Sequence, residues 1–424
     1  LLSTVIEEVL ATGTRRLADL ISELVLLPKD GRVRSLAETM SIHDVTMDLF
    51  LRDHGLGFET WSERRGRGIH YTPWDLAVWM AGRLRPHEDG AYRVLDPAMG
   101  CGIFLLACRE VFRDRDIHLF GGDIDPVAVF STRLQMREIH GRGITDGKIR
   151  SRFVEVDYLS ESGLDLWRGA DPDAVIMNPP YVSQSIDRSF VTRGAKNLAA
   201  YFGERSLEIV DSGGQIVAVV PISIATGGKR YSAVRQLILD KASKVSVKHV
   251  DIVPGYLFSQ GKYEGSGASR SVSARVSIYD IGVGEGVTAF ESTRFIRWMT
   301  HQRSEMMSIE PEEIGAEEVC LFTPDCFPMG GRLDLELLRK ITDEAPMAMG
   351  QARSEGGQYC LQVLKPARYH ISADVNVSDR KNTAIIRFET RDERDAAMAV
   401  IVSGAFFWYW RCHGNGMQLR MKEI

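Results

Sequence analysis

Short apolar segments of strand length alternate with helical patterns between residues 92 and 283 of this chain. The first four segments are "RVLD", "LFGGDID", "RFVEVDYL" and "DAVIMNPPYV", and each carries an acid or an amide at its carboxyl end. Strands that alternate with helices at this spacing predict an α/β fold with a doubly wound, Rossmann-like parallel sheet. Ligands of such sheets bind at the carboxyl ends of the strands, near the point where the strand order reverses. We therefore expect the unusual residues of this chain to meet at one edge of the sheet.

The sequence on either side of the alternating segment has a different character. Residues 1–62 show apolar residues three to four positions apart, which predicts an N-terminal helical region. The segment "HYTPWDLAVWMAGRL" predicts a turn and then a helix, with Thr72 as its N-cap and Pro73 at its first position. We assign the sheet domain to 63–285 and a mixed strand-and-helix region to 286–424.

Composition and charge argue against several classes of protein. The 424 residues carry a formal net charge of −5 and contain no long uncharged apolar run, so a membrane span is not expected. The six cysteines are scattered without a CxxC pair, which argues against a zinc site and a disulfide framework and favours a cytoplasmic location. A nucleic-acid partner would require locally concentrated positive charge. The basic segments are 62–71, 227–235 and 409–422.

The loop after the first predicted strand reads "DPAMGCGIF" and contains Asp96, Pro97, Gly100 and Gly102. Its glycines permit a tight turn and the close approach of a ligand to the backbone. A dinucleotide fingerprint would require a third glycine where this chain has Leu105, so a pyrophosphate site is weakly supported. The loop instead suits a nucleoside-type cofactor that lies across the strand ends.

The next two strands also end in acids. Asp123 in "GGDID" lies 21 residues after Gly102, where a carboxylate can accept hydrogen bonds from both hydroxyls of a ribose. Asp125 precedes a proline and fits a helix N-cap better. Asp157 in "VEVDYL" is placed to accept from an exocyclic adenine amine, although an exposed loop acid is the simpler interpretation.

The fourth strand ends in Asn178, Pro179, Pro180 and Tyr181. Prolines fix φ and lack a donor, so they stiffen the corner that follows the strand. An oxygen from the asparagine side chain and one from the next carbonyl can converge on an exocyclic amine, while the tyrosine stacks on its ring. An amine held in this way is a competent nucleophile through orientation and preorganisation. If the ring were a base in a duplex, it would have to be flipped out.

The motifs "HYTP", "LDPAMGCGIF", "GGDID", "VDYL" and "NPPYV" are similar, in order and spacing, to those of the S-adenosylmethionine-dependent amino-methyltransferases of DNA. The order resembles the gamma-type N6-adenine enzymes of restriction-modification and phage-defence systems. The resemblance covers roughly residues 65–285. The tail "SGAFFWYWRCHGNGMQL" is also similar to the end segment of larger restriction-modification methylases, which implies a DNA target-recognition role for the region 286–424. The family resemblance implies double-stranded DNA as the substrate, no metal, and either a separate specificity subunit or a restriction or defence partner.

The resemblance also implies a role for individual residues. The cofactor S-adenosylmethionine would be held by Tyr71, Thr72, Pro73, Asp96, Pro97, Gly100, Gly102, Asp123, Asp157 and Asn178. The target amine would be held by Asn178, Pro179, Pro180 and Tyr181. A second stacking aromatic would be Phe258, although Ser259 stands where the family has proline.

Three alternatives stay open at this point. Methyltransferases of protein glutamine and of RNA guanine also carry Asn-Pro-Pro-Tyr, but the "YTP" segment and the long region after residue 285 favour DNA. A second alternative is a DNA-binding methylase subunit that acts only with a partner specificity chain. A third is a nucleotide-dependent dehydrogenase, which the missing third glycine disfavours. The sequence shows no nuclease motif of the PD…ExK type.

Overall fold

The structure is a computed structural model, and it describes residues 72–125, 128, 129, 132, 133, 136, 149–186, 190–226, 228–251, 257, 275–315, 318, 319, 326–336, 356–367, 370–413 and 419. The predicted N-terminal helical region 1–62 lies outside these residues, as do Tyr71 and Phe258.

The core of the described chain is a nine-stranded sheet. In chain order its strands are β1 (Tyr92–Asp96), β2 (Ile117–Asp123), β3 (Ile149–Glu155), β4 (Ala174–Met177), β5 (Gln215–Pro221), β6 (Ala242–Val250), β7 (Val276–Val283), β8 (Ala289–Ser292) and β9 (Glu312–Ile314). Across the sheet the order is β3-β2-β1-β4-β5-β7-β6-β8-β9. The predicted Rossmann-like α/β fold is confirmed.

The pairing of the strands locates the ligand-binding edge. Strands β1 to β5 pair in parallel, whereas β7 lies antiparallel between β5 and β6. From β1 the order runs outward to β2 and β3, and the chain then returns to place β4 on the other side of β1. The reversal opens a crevice at the carboxyl ends of β1 and β4. Asp96 ends the first of these strands and Asn178 follows the second.

Helices cover both faces of the sheet. They are α1 (Trp74–Ala81), α2 (Ile103–Val111), α3 (Glu161–Arg168), α4 (Leu198–Ile209), α5 (Ser223–Thr226), α6 (Ser232–Lys241) and α7 (Arg303–Ser308), with short 3₁₀ helices at Val191–Ala195, Gly228–Tyr231 and Thr300–Gln302. Successive side chains of a strand point to opposite faces. In β5, Ile216 and Ala218 join one hydrophobic cluster, and Val217 and Val219 join the other. A strand buried on both sides must be apolar throughout, as these runs are.

Helix α1 begins one residue later than the sequence predicts. Pro73 is its N-cap and has extended backbone angles, and Trp74 is the first helical residue. The predicted N-cap Thr72 therefore lies one residue before the cap, and its hydroxyl accepts a hydrogen bond from Asn178. Asp75 lies in the first turn as expected, where a carboxylate is favoured by the helix dipole.

The last part of the chain forms a unit with its own core. Its antiparallel sheet has the order β11-β10-β12, and its elements are β10 (Tyr359–Leu364), β11 (Ala373–Asp374), β12 (Thr383–Phe388), α8 (Arg391–Ile401) and α9 (Gly404–His413). A capping box formed by Thr390 and Glu393 starts α8. The sheet domain continues past the predicted boundary at residue 285, since β8 and β9 belong to the large sheet. The division into domains otherwise stays a prediction.

Among the described residues, no helix has both the length and the apolarity that a membrane crossing requires.

Candidate functional site

Asp96 closes β1 and is fully buried. Its Oδ1 accepts a hydrogen bond from the backbone N–H of Ala98 at 3.1 Å. Its Oδ2 is buried and has no hydrogen-bond partner in the part of the chain that the structure describes. Burial, together with the nearby charge of Asp123, raises the pKa of Asp96 well above its usual range. A buried carboxyl oxygen at a ligand-binding edge is a group able to receive a donor from a ligand.

The glycine loop after β1 has the tight backbone that its sequence predicts. Gly100 and Gly102 have φ values of +52° and +79°, in the left-handed region that favours glycine. A Cβ on Gly102 would lie 2.7 Å from the side chain of Thr132, so that position also requires glycine for space. A Cβ on Gly100 would meet nothing within 4 Å. Gly100 is half-buried with open space on its Cβ side, where a flat ligand can approach the loop.

Asp123 shapes the glycine loop from the end of β2. Its Oδ2 accepts the backbone N–H of Gly100 at 2.9 Å, and its Oδ1 accepts that of Asp125 at 2.9 Å. Burial raises its pKa, against the effect of these two bonds. Asp125 is exposed and its carbonyl accepts from Val129 at 3.1 Å, as expected at the start of a helical turn. Asp123 thus stands beside the loop where a ribose would lie.

Asp157 is exposed at the end of the third strand. Its Oδ1 accepts from the backbone N–H of Leu159 at 2.9 Å, and Ser160 caps the following helix. The backbone is tight here, because a Cβ on Gly163 would collide with the carbonyl oxygen of Asp157. These contacts agree with a local turn-forming role, and contact with a cofactor adenine stays a prediction.

The structure brings Asn178 and Thr72 together across 106 residues of chain. The side-chain Nδ2 of Asn178 donates to Oγ1 of Thr72 at 3.1 Å. Thr72, Pro73 and Pro179 are buried, and Asn178 is half-buried at the end of β4. The "YTP" and "NPPY" segments therefore meet at the crevice, beside the end of β1. The amide nitrogen of Asn178 only donates, so a hydrogen bond from a ligand to this side chain would be accepted by its oxygen.

Tyr181 is held more firmly than the sequence indicates. Its hydroxyl donates to the carbonyl of Val219 on β5 at 3.0 Å, and its half-buried ring packs against both hydrophobic clusters. Burial raises the pKa of its hydroxyl well above the usual range. The hydroxyl anchors the ring to the neighbouring strand beside Asn178. Stacking of this ring on a base stays a prediction.

A buried ionic cluster at the end of β6 escaped sequence analysis. Asp251 is fully buried and receives three arginines: Arg275 at 3.1 Å, and Arg297 and Arg411 at 3.3 Å each. Arg411 belongs to α9, so the cluster joins the C-terminal unit to the sheet. Its guanidinium also lies 4.8 Å from the ring centre of Phe295. The sequence did offer a signal, because the acid in "KHVDIV" follows an apolar strand as Asp96 does.

Within the described ranges, no group of three or more His, Cys, Asp or Glu side chains is placed to hold a metal ion.

Together, the strand order and the polar residues Asp96, Asp123 and Asn178 at the strand ends define a Rossmann-like α/β fold with a candidate ligand site at its carboxyl edge. Residues 118–251 match the family of Eco57I restriction-modification methylases. The match runs from β2 to the end of β6 and contains the Asn-Pro-Pro-Tyr segment. It confirms the predicted resemblance to restriction-modification methylases over these residues, and it supports S-adenosylmethionine as the cofactor.

Several solved structures are similar to this chain. A type I restriction-modification methyltransferase subunit from Streptococcus thermophilus is 14% identical with a TM-score of 0.45, and the match covers 68% of this chain and 65% of that one. A DrdV–DNA complex is 14% identical with a TM-score of 0.48, and the match covers 63% and 32%. The type IIG restriction endonuclease BpuSI is 18% identical with a TM-score of 0.45, and the match covers 74% and 39%.

This chain spans less than two thirds of the length of each of these three structures.

Proposed function

We propose that this protein transfers a methyl group from S-adenosylmethionine to the N6 amine of an adenine in double-stranded DNA, as part of a restriction-modification or phage-defence system. The observation that carries the proposal is the position of Asn178. It follows β4 at the point where the strand order reverses, and a hydrogen bond to Thr72 fixes its amide beside the end of β1.

The residues of the crevice fit the proposed cofactor. The buried Oδ2 of Asp96 is able to accept a donor, and the backbone at Gly100 is open to a flat ligand. Asp123 supplies carboxylate oxygens suited to ribose hydroxyls. Thr72 and Pro73 line the side nearest Asn178, where the methionine part would be held. S-adenosylmethionine, when bound, supplies the electrophilic methyl group.

The Asn-Pro-Pro-Tyr corner would prepare the amine. The oxygen of the Asn178 side chain and the carbonyl of Pro179 accept its two N–H groups, which draws the nitrogen lone pair out of conjugation with the ring. Two fixed acceptors need no reorganisation when charge develops on the nitrogen. Tyr181, fixed through its hydroxyl on β5, offers its ring to the base. A duplex base would have to be extruded to reach this corner.

The C-terminal unit contacts the sheet domain close to the crevice. Helix α9 contacts α5, which follows the carboxyl end of β5, and Trp408 donates to the carbonyl of Met329 at 3.0 Å. The unit therefore lies at the same edge of the sheet as the crevice. We propose that it contributes to target recognition, either alone or with a partner specificity subunit.

The test is a transfer assay with labelled S-adenosylmethionine and mixed-sequence duplex DNA, followed by digestion to nucleosides. We expect label in N6-methyladenine, and we expect Asn178→Ala to reduce kcat by about 10²- to 10³-fold, as removal of one preorganised polar group does in other enzymes. Gln236→Ala is the matched control, because this exposed amide donates to Asp240 on its own helix.

Full transfer by Asn178→Ala would overturn the proposed mechanism. Label in protein or RNA of a cell extract, with none in DNA, would replace DNA by one of the alternative substrates. Label in DNA only after a partner chain is added would identify a dependent subunit.

A further inference from the structure

Two short 3₁₀ helices converge beside the Asn-Pro-Pro-Tyr segment. Val191–Ala195 lies before α4 and Gly228–Tyr231 lies before α6, and the two contact each other at the carboxyl edge of the sheet. Together they present four exposed cations, Arg193, Lys196, Lys229 and Arg230, which we call the basic cluster. The second helix lies within the basic segment 227–235 noted in the sequence.

Within the described residues, the basic cluster has no acid paired with it. None of its four side chains forms an ion pair with a carboxylate within the described part of the chain. Glu204 on the neighbouring helix α4 is buried and accepts from Val191 N, Thr192 N and the Thr192 hydroxyl, at 2.6 to 2.8 Å. The Glu204 carboxylate is therefore hydrogen-bonded inside the protein and does not pair with the basic cluster. A protein with a net charge of −5 therefore concentrates positive charge at this edge.

The backbone under the basic cluster is held in a costly conformation. Lys196 has a φ of +46°, in the left-handed region where glycine would be less strained. Arg230 fixes this turn by donating to the carbonyls of Ala195 at 2.7 Å and of Lys196 at 3.2 Å. Glycine would adopt this left-handed backbone with less strain, so a lysine at this position indicates a function for its side chain.

The basic cluster is also hydrogen-bonded to the residues that follow the Asn-Pro-Pro-Tyr segment. The backbone N–H of Gln184 donates to the carbonyl of Lys196 at 3.1 Å, and that of Leu198 donates to the carbonyl of Val182 at 3.0 Å. Gln184 is six residues after Asn178, so the two lie within ~20 Å even if the chain is fully extended. Duplex DNA carries one charge per about 1.7 Å of its axis. A duplex with one base at Asn178 therefore has phosphates within reach of the basic cluster.

We propose that the basic cluster binds the phosphodiester backbone of DNA next to the extruded base. The inference rests on the proposed function and adds to it the surface that positions the duplex. The cations contact phosphates and not base edges, so they contribute affinity and register without reading the sequence.

The test compares two triple variants with the same change in net charge. Arg193→Gln/Lys196→Gln/Lys229→Gln removes three members of the basic cluster and keeps Arg230, which supports the backbone. Arg113→Gln/Arg150→Gln/Arg152→Gln is the control, because these arginines are exposed near β2 and on the edge strand β3. Binding of a short labelled duplex is measured between about 50 and 200 mM salt, together with S-adenosylmethionine affinity and the initial rate of transfer.

We expect the cluster variant to bind duplex at least about tenfold more weakly and to lower the salt slope by about 1 for each phosphate that it no longer neutralises. Its affinity for S-adenosylmethionine and its rate at saturating DNA should match those of the wild type. A salt slope and affinity equal to those of the control would overturn the inference, while transfer to adenine by the wild type would leave the proposed function intact. A wild type that binds no duplex overturns both.

Lys196→Gly provides a second test, which stays informative if the triple variant misfolds. Glycine suits the left-handed backbone, so the melting temperature should stay or rise while duplex affinity falls and the salt slope decreases by about 1. Lys196→Arg retains the charge and should restore both. Unchanged duplex binding by Lys196→Gly would remove Lys196 from the proposed surface.

Discussion

At the amino edge of the nine-stranded sheet charged side chains pair with one another, whereas at the carboxyl edge several charged side chains form no ion pair within the described residues. Asp280 receives both terminal nitrogens of Arg85 at 2.8 and 2.9 Å, and the amide of Gln215 at 2.6 Å. Asp173 receives the side chain and backbone of Arg93. At the carboxyl edge, by contrast, the buried acid Asp96 carries a raised pKa, and the four cations of the basic cluster face solvent.

Charged side chains therefore serve different purposes at the two edges of the sheet. Paired charges hold strands in register and contribute to folding. Buried acids with raised pKa values cost the free protein stability, and such groups are candidates for ligand sites. Exposed cations without an acid partner cost little and stay available to an anionic ligand. If this distinction holds, substitutions at the amino edge should alter stability alone, and those at the carboxyl edge should alter activity, except where a carboxyl-edge group is paired.

Asp251 is the strongest test of that exception, because it lies at the carboxyl edge and is fully paired. Asp251→Asn leaves Arg275 and Arg411 buried without their carboxylate, so we expect the free energy of unfolding in urea to fall by about 3–5 kcal/mol. Asp165→Asn, at an exposed position on α3, is the control. A loss below about 1 kcal/mol would show that the pairing contributes little to stability.

Asp280→Asn tests the amino edge. Its neutral amide loses the charge-assisted bonds from Arg85, which is itself half-exposed, so we expect a loss of about 1–3 kcal/mol in unfolding free energy. The kcat for methyl transfer, measured well below the unfolding midpoint, should equal that of the wild type. A fall in kcat without a fall in stability would break the distinction between the edges.

Asp96→Asn and Asp173→Asn should change stability in opposite directions with pH. Burial raises the pKa of Asp96, so the stability present below its unfolded value of 3.8 is lost as pH rises through the raised pKa. Asp96→Asn should therefore gain on the wild type as pH rises, while losing affinity for S-adenosylmethionine.

Burial would raise the pKa of Asp173 as well, but bonds from Arg93 lower it below 3.8. Its contribution is present above 3.8 and is lost as pH falls through the lowered pKa. Asp173→Asn should be less stable than the wild type at neutral pH, with a gap that closes on acidification. Melting temperatures across a pH series measure both effects, and parallel curves for the two variants would contradict the assignment.

Tyr181→Phe should have the smallest effect. The variant loses one hydrogen bond to Val219 and keeps the aromatic ring, so we expect a loss of about 1 kcal/mol in stability and a near-normal kcat. Tyr181→Ala should lose transfer, because the ring itself is proposed to hold the base. If Tyr181→Phe lost as much activity as Tyr181→Ala, the hydroxyl would have a role beyond anchoring.

The sheet and the crevice were predictable from sequence because each strand is an apolar run that ends in a recognisable polar residue. Partners distant in the chain were not. Thr72 had the local pattern of an N-cap, yet its hydroxyl meets Asn178. The acid Asp251 was visible as a strand end, but its three arginines come from three separate elements. Only the folded sheet brings such groups together.

The ion pair between Arg411 and Asp251 attaches the C-terminal unit to the sheet. Arg411 belongs to the C-terminal unit, whose hydrophobic core is built from its own residues, such as Leu361, Ile386 and Ile401. Asp251 directly follows strand β6 of the large sheet and pairs with two further arginines, Arg275 and Arg297. A chimaera that joins a foreign C-terminal unit to this sheet would need an arginine at the position of Arg411 to seat the new unit.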